Sequence, residues 1–282
     1  MSNLISPEQN FPIDEIQRRI AYIYNKRFYI TANAREIQNK LTFSHTLTDL
    51  EEKNILDKSD EYLGNVLIQL IMGEFPYDYV TCESCNDISG KSEYRWVIDP
   101  IDGAMNFARN IPLYSVSLGI QHRGVNVGGI VILPEFNEIY SAVYGEGAYK
   151  NNKRIKVSEV NCLERALLVS SFPNNRKFIP REMLAEVSAF VTSGRSIRRT
   201  GSVILDLCWL AEGRVDGLWD KDIKDIDMAA TSVIIREAGG SLSDFQGSSV
   251  LILPGNIIAT NGLIHKQIVE LIKKSREELT LN

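Results

Sequence analysis

The hydrophobic period of the chain changes twice, and the order of those changes limits the folds open to it. From Phe11 to about Lys40 apolar residues recur at helical spacing, as Ile13, Ile16, Ile20, Ile23, Tyr24 and Phe28, with Asp14 and Glu15 in the first turn. Residues 41–58 are polar and aperiodic and read as a loop or short helix. A second helix is expected over residues 59–73, capped by Ser59 or Asp60 and ended by Phe75-Pro76. From there the period is two. Residues 79–82 and 95–98 read as strands, and 114–150 as a meander broken at Arg123-Gly124, Pro134-Glu135 and Gly145-Glu146-Gly147. Beyond it the two periods alternate, with strands over 167–169, 241–245 and 257–259. Helices are expected over 180–191, opened by Pro180, over 202–213, over 225–238, closed by Gly239-Gly240, and from Leu263 to the C-terminus. Helices first, strands in the middle and an alternating block last predict an α/β (α+β) chain of stacked layers, not a simple doubly wound sheet. Its 282 residues suffice for a single domain with two lobes, about 1–157 and about 158–282.

Charge and apolar run length narrow the partners. A net charge of -5 argues against nucleic acid, since phosphate neutralisation calls for clustered Lys and Arg. The nearest basic cluster, Arg195-Ser196-Ile197-Arg198-Arg199, is short. No apolar stretch approaches the ~18 residues that span a bilayer. The start, from Met1 to Pro7, has neither a basic region nor a long apolar core, so no signal peptide is read there. Four cysteines in a chain of this size suit a reducing cytoplasm better than a disulfide framework.

The segment WVIDPIDGAMNF, residues 96–107, raises a chemical question. An apolar run ends in Asp99 and Asp102, with only Pro100-Ile101 between them. Two carboxylates about 4 Å apart repel by roughly 4 kcal/mol at an effective dielectric near 20. Asp99 is expected to close a strand, with Pro100 turning the chain so that Asp102 points back to the same place. Turn chemistry alone accounts for Asp and Pro in a loop, but hard divalent cations such as Mg²⁺ also select such oxygen clusters. The flank favours the second reading: Gly103-Ala104-Met105-Asn106 can start a short helix whose free N–H groups would face an anion. Three further acids stand at element ends. Glu83 follows the strand 79–82, Asp227 sits in the first turn of the helix DIDMAATSVIIREAGG, and Asp60 opens a helix. Helix-dipole complementation and N-capping are local explanations for the last two.

Taken together these segments resemble the inositol monophosphatase family of Mg²⁺-dependent, lithium-sensitive phosphatases. The resemblance rests on DKSD (57–60), CES (82–84), DPIDGAMNF (99–107), RRTGS (198–202) and DIDMAATSVIIREAGG (225–240), in family order from about Asp57 to Gly262. It implies a layered αβαβα sandwich of the inositol monophosphatase and fructose-1,6-bisphosphatase type. It also implies that Glu83, Asp99 and the Ile101 carbonyl hold a first Mg²⁺, that Asp99, Asp102 and Asp227 hold a second, and that a third, weaker ion lies near Glu83. Asp60 would be the catalytic carboxylate that helps to orient and deprotonate the attacking water. The Gly103 and Ala104 amides would bind phosphate, and Gly201, Ser202, Val203, Asp220 and Asp102 would contact the substrate. The implied substrate is a small phosphorylated metabolite and the implied assembly a homodimer, with neither nucleic acid nor membrane as a partner.

Four positions depart from the family pattern. Ala104 stands where the family has a threonine whose hydroxyl works with the upstream acid, and losing such a relay costs ~10²–10⁴ in rate, or about 3–5 kcal/mol of barrier. The acidic pair is reduced to Glu83-Ser84, the Trp before the late Asp is Ile226, and the substrate-side Glu is Asp220, with Val203 bulkier than the usual alanine. Inositol phosphate, another polyol or sugar phosphate, and a nucleotide 3′-phosphate all remain open. The competing reading is a catalytically impaired member that binds metal and phosphate or regulates a partner. The Cys82-Glu83-Ser84-Cys85 segment does not read as a redox or zinc motif, because no helix is expected to follow it and two further ligands at close spacing are missing. His45, His122 and His265 are scattered and read as structural or solvated.

Overall fold

A computed structural model describes residues 11–41, 48–170, 181–193, 196–248 and 255–280. Readings made at Met1–Pro7, His45, Pro180 and Arg195, and part of the 41–58 segment, lie outside these described residues. The chain starts with two long helices, α1 (Ile13–Lys40) and α2 (Asp49–Glu74). Strands β1 (Tyr79–Cys82) and β2 (Tyr94–Asp102) follow, then a short helix α3 (Ala104–Ala108). Next come β3 (Ser115–His122), β4 (Val125–Leu133), β5 (Glu138–Val143), β6 (Gly147–Lys150) and β7 (Lys153–Arg154). The second half holds β8 (Leu167–Val169), α4 (Arg181–Thr192), β9 (Ser196–Arg198), α5 (Val203–Ala211) and β10 (Gly217–Ile223). It ends with α6 (Asp225–Glu237), β11 (Ser241–Asp244), β12 (Gly255–Thr260) and α7 (His265–Thr280).

The first seven strands form one sheet in chain order, antiparallel except for the parallel pair β1–β2. The other five form a second sheet in the order β11-β12-β10-β8-β9. Three apolar cores separate the layers. On the outer face of the first sheet, Ile16, Ile23, Ile30, Leu63 and Leu67 of α1 and α2 pack on Trp96, Ile98, Leu118 and Ile130. The opposite face presents Val131 and Leu133 to α5 and α6, whose other sides meet Leu218 and Ala259 of the second sheet. Phe190 of α4 and Ile268 and Ile272 of α7 close the far face over Trp219 and Ile258. Successive residues of β4 thus enter different cores, the period-two consequence of a strand buried on both sides. The result is the expected αβαβα sandwich.

One contact sets the height of α6. Gly119 and Gly129 are paired across β3 and β4. A Cβ on Gly119 would stand 2.5 Å from Ala229 Cβ, and one on Gly129 would stand 2.6 Å from Ala230 Cα. The sheet therefore meets the alanines of α6 with no side chain of its own between them. Gly129→Ala is expected to lower stability by about 1–3 kcal/mol, the usual cost of overpacking. An unchanged urea midpoint at pH 7.5 would show instead that α6 lifts freely.

Three expectations need correction. Helix α2 begins at Asp49, not near Ser59, because Thr48 and Glu51 form a capping box: Thr48 N–H donates to Glu51 Oε2 at 2.8 Å and Glu51 N–H to Thr48 Oγ1 at 3.3 Å. Asp60 is therefore mid-helix and caps nothing. Strand β2 does not stop at Asp99 but runs through the Asp-Pro-Ile-Asp segment to Asp102. Strands β9 and β10 also arise where no strand was expected, and β10 lies at the centre of its sheet.

Candidate active site

The crowding of Asp99 and Asp102 has a backbone cause. Residues three apart on a regular strand point to opposite faces. Here Asp99 lies opposite Ser117 of β3 while Asp102 lies opposite Ser115, so β2 advances three residues for two of its partner. The extra residue is a bulge, and it turns both acids to one face. Pro100 brings no N–H to this irregular stretch, and the Ile101 N–H donates to Asp99 Oδ1 at 3.1 Å. Asp99 itself is buried.

Asp102 ties the bulge to the start of α5. Its Oδ2 accepts from the Ser202 hydroxyl at 2.5 Å and from the Ile204 N–H at 2.9 Å, with the Ser115 hydroxyl at 3.5 Å. Ser202 also caps α5, accepting from the Leu205 N–H at 3.3 Å. Gly103 has φ 92°, a left-handed conformation, and precedes Ala104 at the first position of α3. From that helix the Asn106 amide donates to Leu113 O at 2.7 Å and to Thr200 O at 2.9 Å. The predicted phosphate residues Gly103 and Ala104 and the predicted substrate residues Gly201 and Ser202 are thus fastened to one another. Val203 opens α5 beside them.

The remaining acids arrive from other elements. Asp227 sits in the first turn of α6 and accepts the Lys224 N–H at 2.9 Å. The Lys224 ammonium reaches Glu83, in the turn after β1, at 2.5 Å. Asp60 comes from the middle of α2, and its buried Oδ1 has no hydrogen-bond partner among the described residues. Burial followed by the charges of Asp102, Glu83, Asp227 and Asp60 holds Asp99 well above the ordinary carboxylate range. Burial, then Glu83, Asp57 and Asp102, pushes Asp60 up to about 7. Asp227 is pushed up to about 7 by burial and then Asp102. Asp102 rises to about 6 through burial, held back by its hydrogen bonds from Ser202 and Ile204. Five carboxylates from α2, the β1 turn, β2 and α6 therefore act on one another in a region of low solvation.

Such an oxygen-rich set, offset only where Lys224 meets Glu83, suits a hard cation, and the orphaned Asp60 oxygen points the same way. Among the described residues, however, no three His, Cys, Asp or Glu side chains are already gathered as the ligand set of an ion. The hydrogen bonds say why: Asp102 faces the α5 donors, Asp227 the Lys224 amide, and Glu83 the Lys224 ammonium.

Asp220 lies buried on β10 and accepts the neighbouring Lys221 N–H at 2.7 Å. Between it and the acid cluster stands a residue the sequence reading missed. Asp206 on α5 is buried, and burial first, then Asp102 and Asp220, raises it well above the ordinary range. The signal was present: a single acid inside the otherwise apolar helix VILDLCWLA. Lys224 was missed too, a lone cation directly before the Asp227 helix. The described histidines serve structure. His122 pairs with Glu93 at 3.2 Å, and His265 joins Thr260 Oγ1 at 2.9 Å to Ser243 Oγ at 2.7 Å.

The sequence model of the inositol monophosphatase family matches residues 19–280. A relative named Nus factor SuhB from Vibrio cholerae is 34% identical over 244 residues, covering 86% of this chain and 88% of that protein. The inositol-1-monophosphatase of Mesorhizobium japonicum is 33% identical over 183 residues, 65% of this chain and 69% of that one. The solved structure of an inositol monophosphatase from Anabaena matches with a TM-score of 0.79 at 30% identity, over 92% of this chain and 97% of its own. No helix among the described residues is long and apolar enough to cross a membrane.

Proposed function

This chain belongs to the inositol monophosphatase family, and from that premise we propose that it is a Mg²⁺-dependent phosphomonoesterase acting on a small polyol or sugar phosphate. The observation that carries the reading is the set of acids around the Asp99–Asp102 bulge, which raise one another's affinity for protons. Glu83, Asp99, the Ile101 carbonyl, Asp102 and Asp227 would hold two to three Mg²⁺ ions. Bound there, Mg²⁺ supplies the positive charge that a phosphoryl group in transfer requires.

The chain's own groups divide the remaining work. Asp60 orients the attacking water and accepts its proton at the oxygen that now lacks a partner. The Gly103 and Ala104 amides, at the open end of α3, face the phosphate oxygens. Ser202 spends its hydroxyl on Asp102, so it positions that acid, leaving Gly201, Val203 and Asp220 to meet the leaving alcohol. Asp220, one methylene shorter than the family Glu, leaves room for an alcohol that differs from inositol. Lys224 neutralises one edge of Glu83. The same reading includes a homodimer in a reducing cytoplasm.

Phosphate release from a panel of inositol, sugar and nucleotide 3′-monoesters is expected to require Mg²⁺, to vanish with chelator and to fall with Li⁺. A second reading is favoured by one observation, the absence of a hydroxyl at Ala104 on α3, which packs against the helix whose Asp60 oxygen has no partner among the described residues. In it the protein binds metal and phosphate without turnover and serves a partner, as the name Nus factor of the Vibrio cholerae relative suggests for that protein. Magnesium binding without hydrolysis of any ester in the panel would select it.

A further inference from the structure

Cys82 and Cys85 bracket the turn that carries Glu83. Cys82 ends β1, and Glu83 and Ser84 turn the chain. A four-residue turn holds its outer Cα atoms within ~7 Å, which overlaps the span a disulfide bridges. Both sulfurs rest on Gly64 of α2: a Cβ there would stand 2.4 Å from Cys85 Sγ and 2.9 Å from Cys82 Sγ. The same point is 3.2 Å from Pro100 Cγ, so the thiols share a wall with the Asp99–Asp102 bulge. Burial holds both thiols above their ordinary range, Cys82 the more strongly. Cys85 in turn donates to the Glu61 carbonyl at 3.5 Å. Cys82 is buried and Cys85 half-buried, and both are free thiols.

We propose that Cys82 and Cys85 form a reversible disulfide across the Glu83 turn, a modification site that controls cation binding at the acid cluster. The proposal rests on the phosphatase reading only for the role it gives Glu83. The oxidant is a low-molecular-weight disulfide. The sulfur of Cys85, the more exposed of the two, attacks it, forms a mixed disulfide and releases one small thiol. The Cys82 sulfur then displaces the second small thiol from Cys85. Two protein thiols are oxidised to one S–S bond, the small disulfide is reduced to two thiols, and their hydrogens go to those products. Bonding brings the sulfurs to about 2 Å, and the absence of a side chain at Gly64 leaves space for the bridge. The Glu83 N–H is pinned to the Ile98 carbonyl at 3.1 Å, so the contraction falls on the Ser84–Cys85 end and on the Glu83 side chain.

The test exposes the reduced, full chain to oxidised glutathione, quenches with acid, alkylates and maps peptides by mass. Wild-type protein is expected to lose two hydrogens at a Cys82–Cys85 link, while Cys162 and Cys208 stay alkylatable. Cys82→Ser is expected to trap glutathione on Cys85, because the resolving sulfur is gone. Calorimetry with Mg²⁺ is expected to show binding about tenfold weaker after oxidation, a loss of the size that follows when a ligand's support is disturbed, with recovery on adding dithiothreitol. Alkylation of both Cys82 and Cys85 after the oxidant, or a formed link with unchanged Mg²⁺ binding, overturns the proposal. The wild-type arm needs no substitution, so a misfolded variant does not blunt it. If the reduced protein hydrolyses no ester yet shows the link and the Mg²⁺ shift, the phosphatase reading fails and this one stands.

Discussion

Asp99→Asn is expected to abolish Mg²⁺ binding and lower kcat by at least about 10³, the several kcal/mol that metal-ion catalysis supplies, while making the metal-free protein more stable. The two effects have one source. The asparagine carbonyl keeps the Ile101 N–H bond of Asp99, yet it removes a buried charge that Asp102, Glu83, Asp227 and Asp60 all oppose. The pH dependence of stability follows from the same acids. An unfolded Asp titrates near about 3.9, whereas in the fold Asp60 and Asp227 titrate at about 7 and Asp102 at about 6. Between those values the folded state holds protons that the unfolded state has lost, so stability falls as pH rises. It is fully present below about pH 4 and is lost as pH passes through 6 to 7. Urea midpoints in chelator should therefore be higher at pH 5 than at pH 8, with a flatter profile in Asp99→Asn and a reversed trend once Mg²⁺ is added. Preserved Mg²⁺ affinity in the variant would remove Asp99 from the ligand set, and a wild-type midpoint that rises with pH in chelator would show that these acids do not hold their protons in the fold.

Ala104→Thr is expected to raise kcat by at least about tenfold, a fraction of what general acid–base assistance contributes. Position 104 opens α3, which packs against α2, the helix that carries Asp60. A hydroxyl there offers a donor to an environment in which the buried Asp60 oxygen has none, and a donor to the carboxylate lowers its proton affinity. The acidic limb of the kcat profile should move to lower pH in step with the gain. Steady-state kinetics on the best ester across pH 5 to 9 provides the measurement. An unchanged kcat and an unmoved limb would show that Asp60 already acts without such a partner.

Stacked layers were legible from period alone, and the αβαβα order came with the family resemblance. Apolar residues at helical spacing, then at spacing two, then alternating, leave few ways to bury every face, and the sandwich satisfies them all. The start of α2 was not legible from period, since its first turns are mostly polar. The signal lay in Thr48-x-x-Glu51, a local hydrogen-bond pattern and not an apolar one. Strand β10 hid for a different reason. Asp220, Lys221 and Asp222 interrupt its apolar run, and the strand carries a register shift with Asp222 at φ 57°. At the site, the crowding of Asp99 and Asp102 announced itself as two like charges with no cation beside them. That a bulge would aim both at one face was beyond the sequence, because bulges are set by pairing with β3. Lys224 and Asp206 were overlooked because each has an ordinary explanation until Glu83 and Asp220 are seen beside them.

The bare contact of Ala229 and Ala230 with Gly119 and Gly129 reaches further than local packing. An alanine methyl resting directly on glycine backbone leaves no flexible side chain to absorb a change in either partner. Asp227, anchored one turn away from that contact, is therefore held at a fixed height above the first sheet.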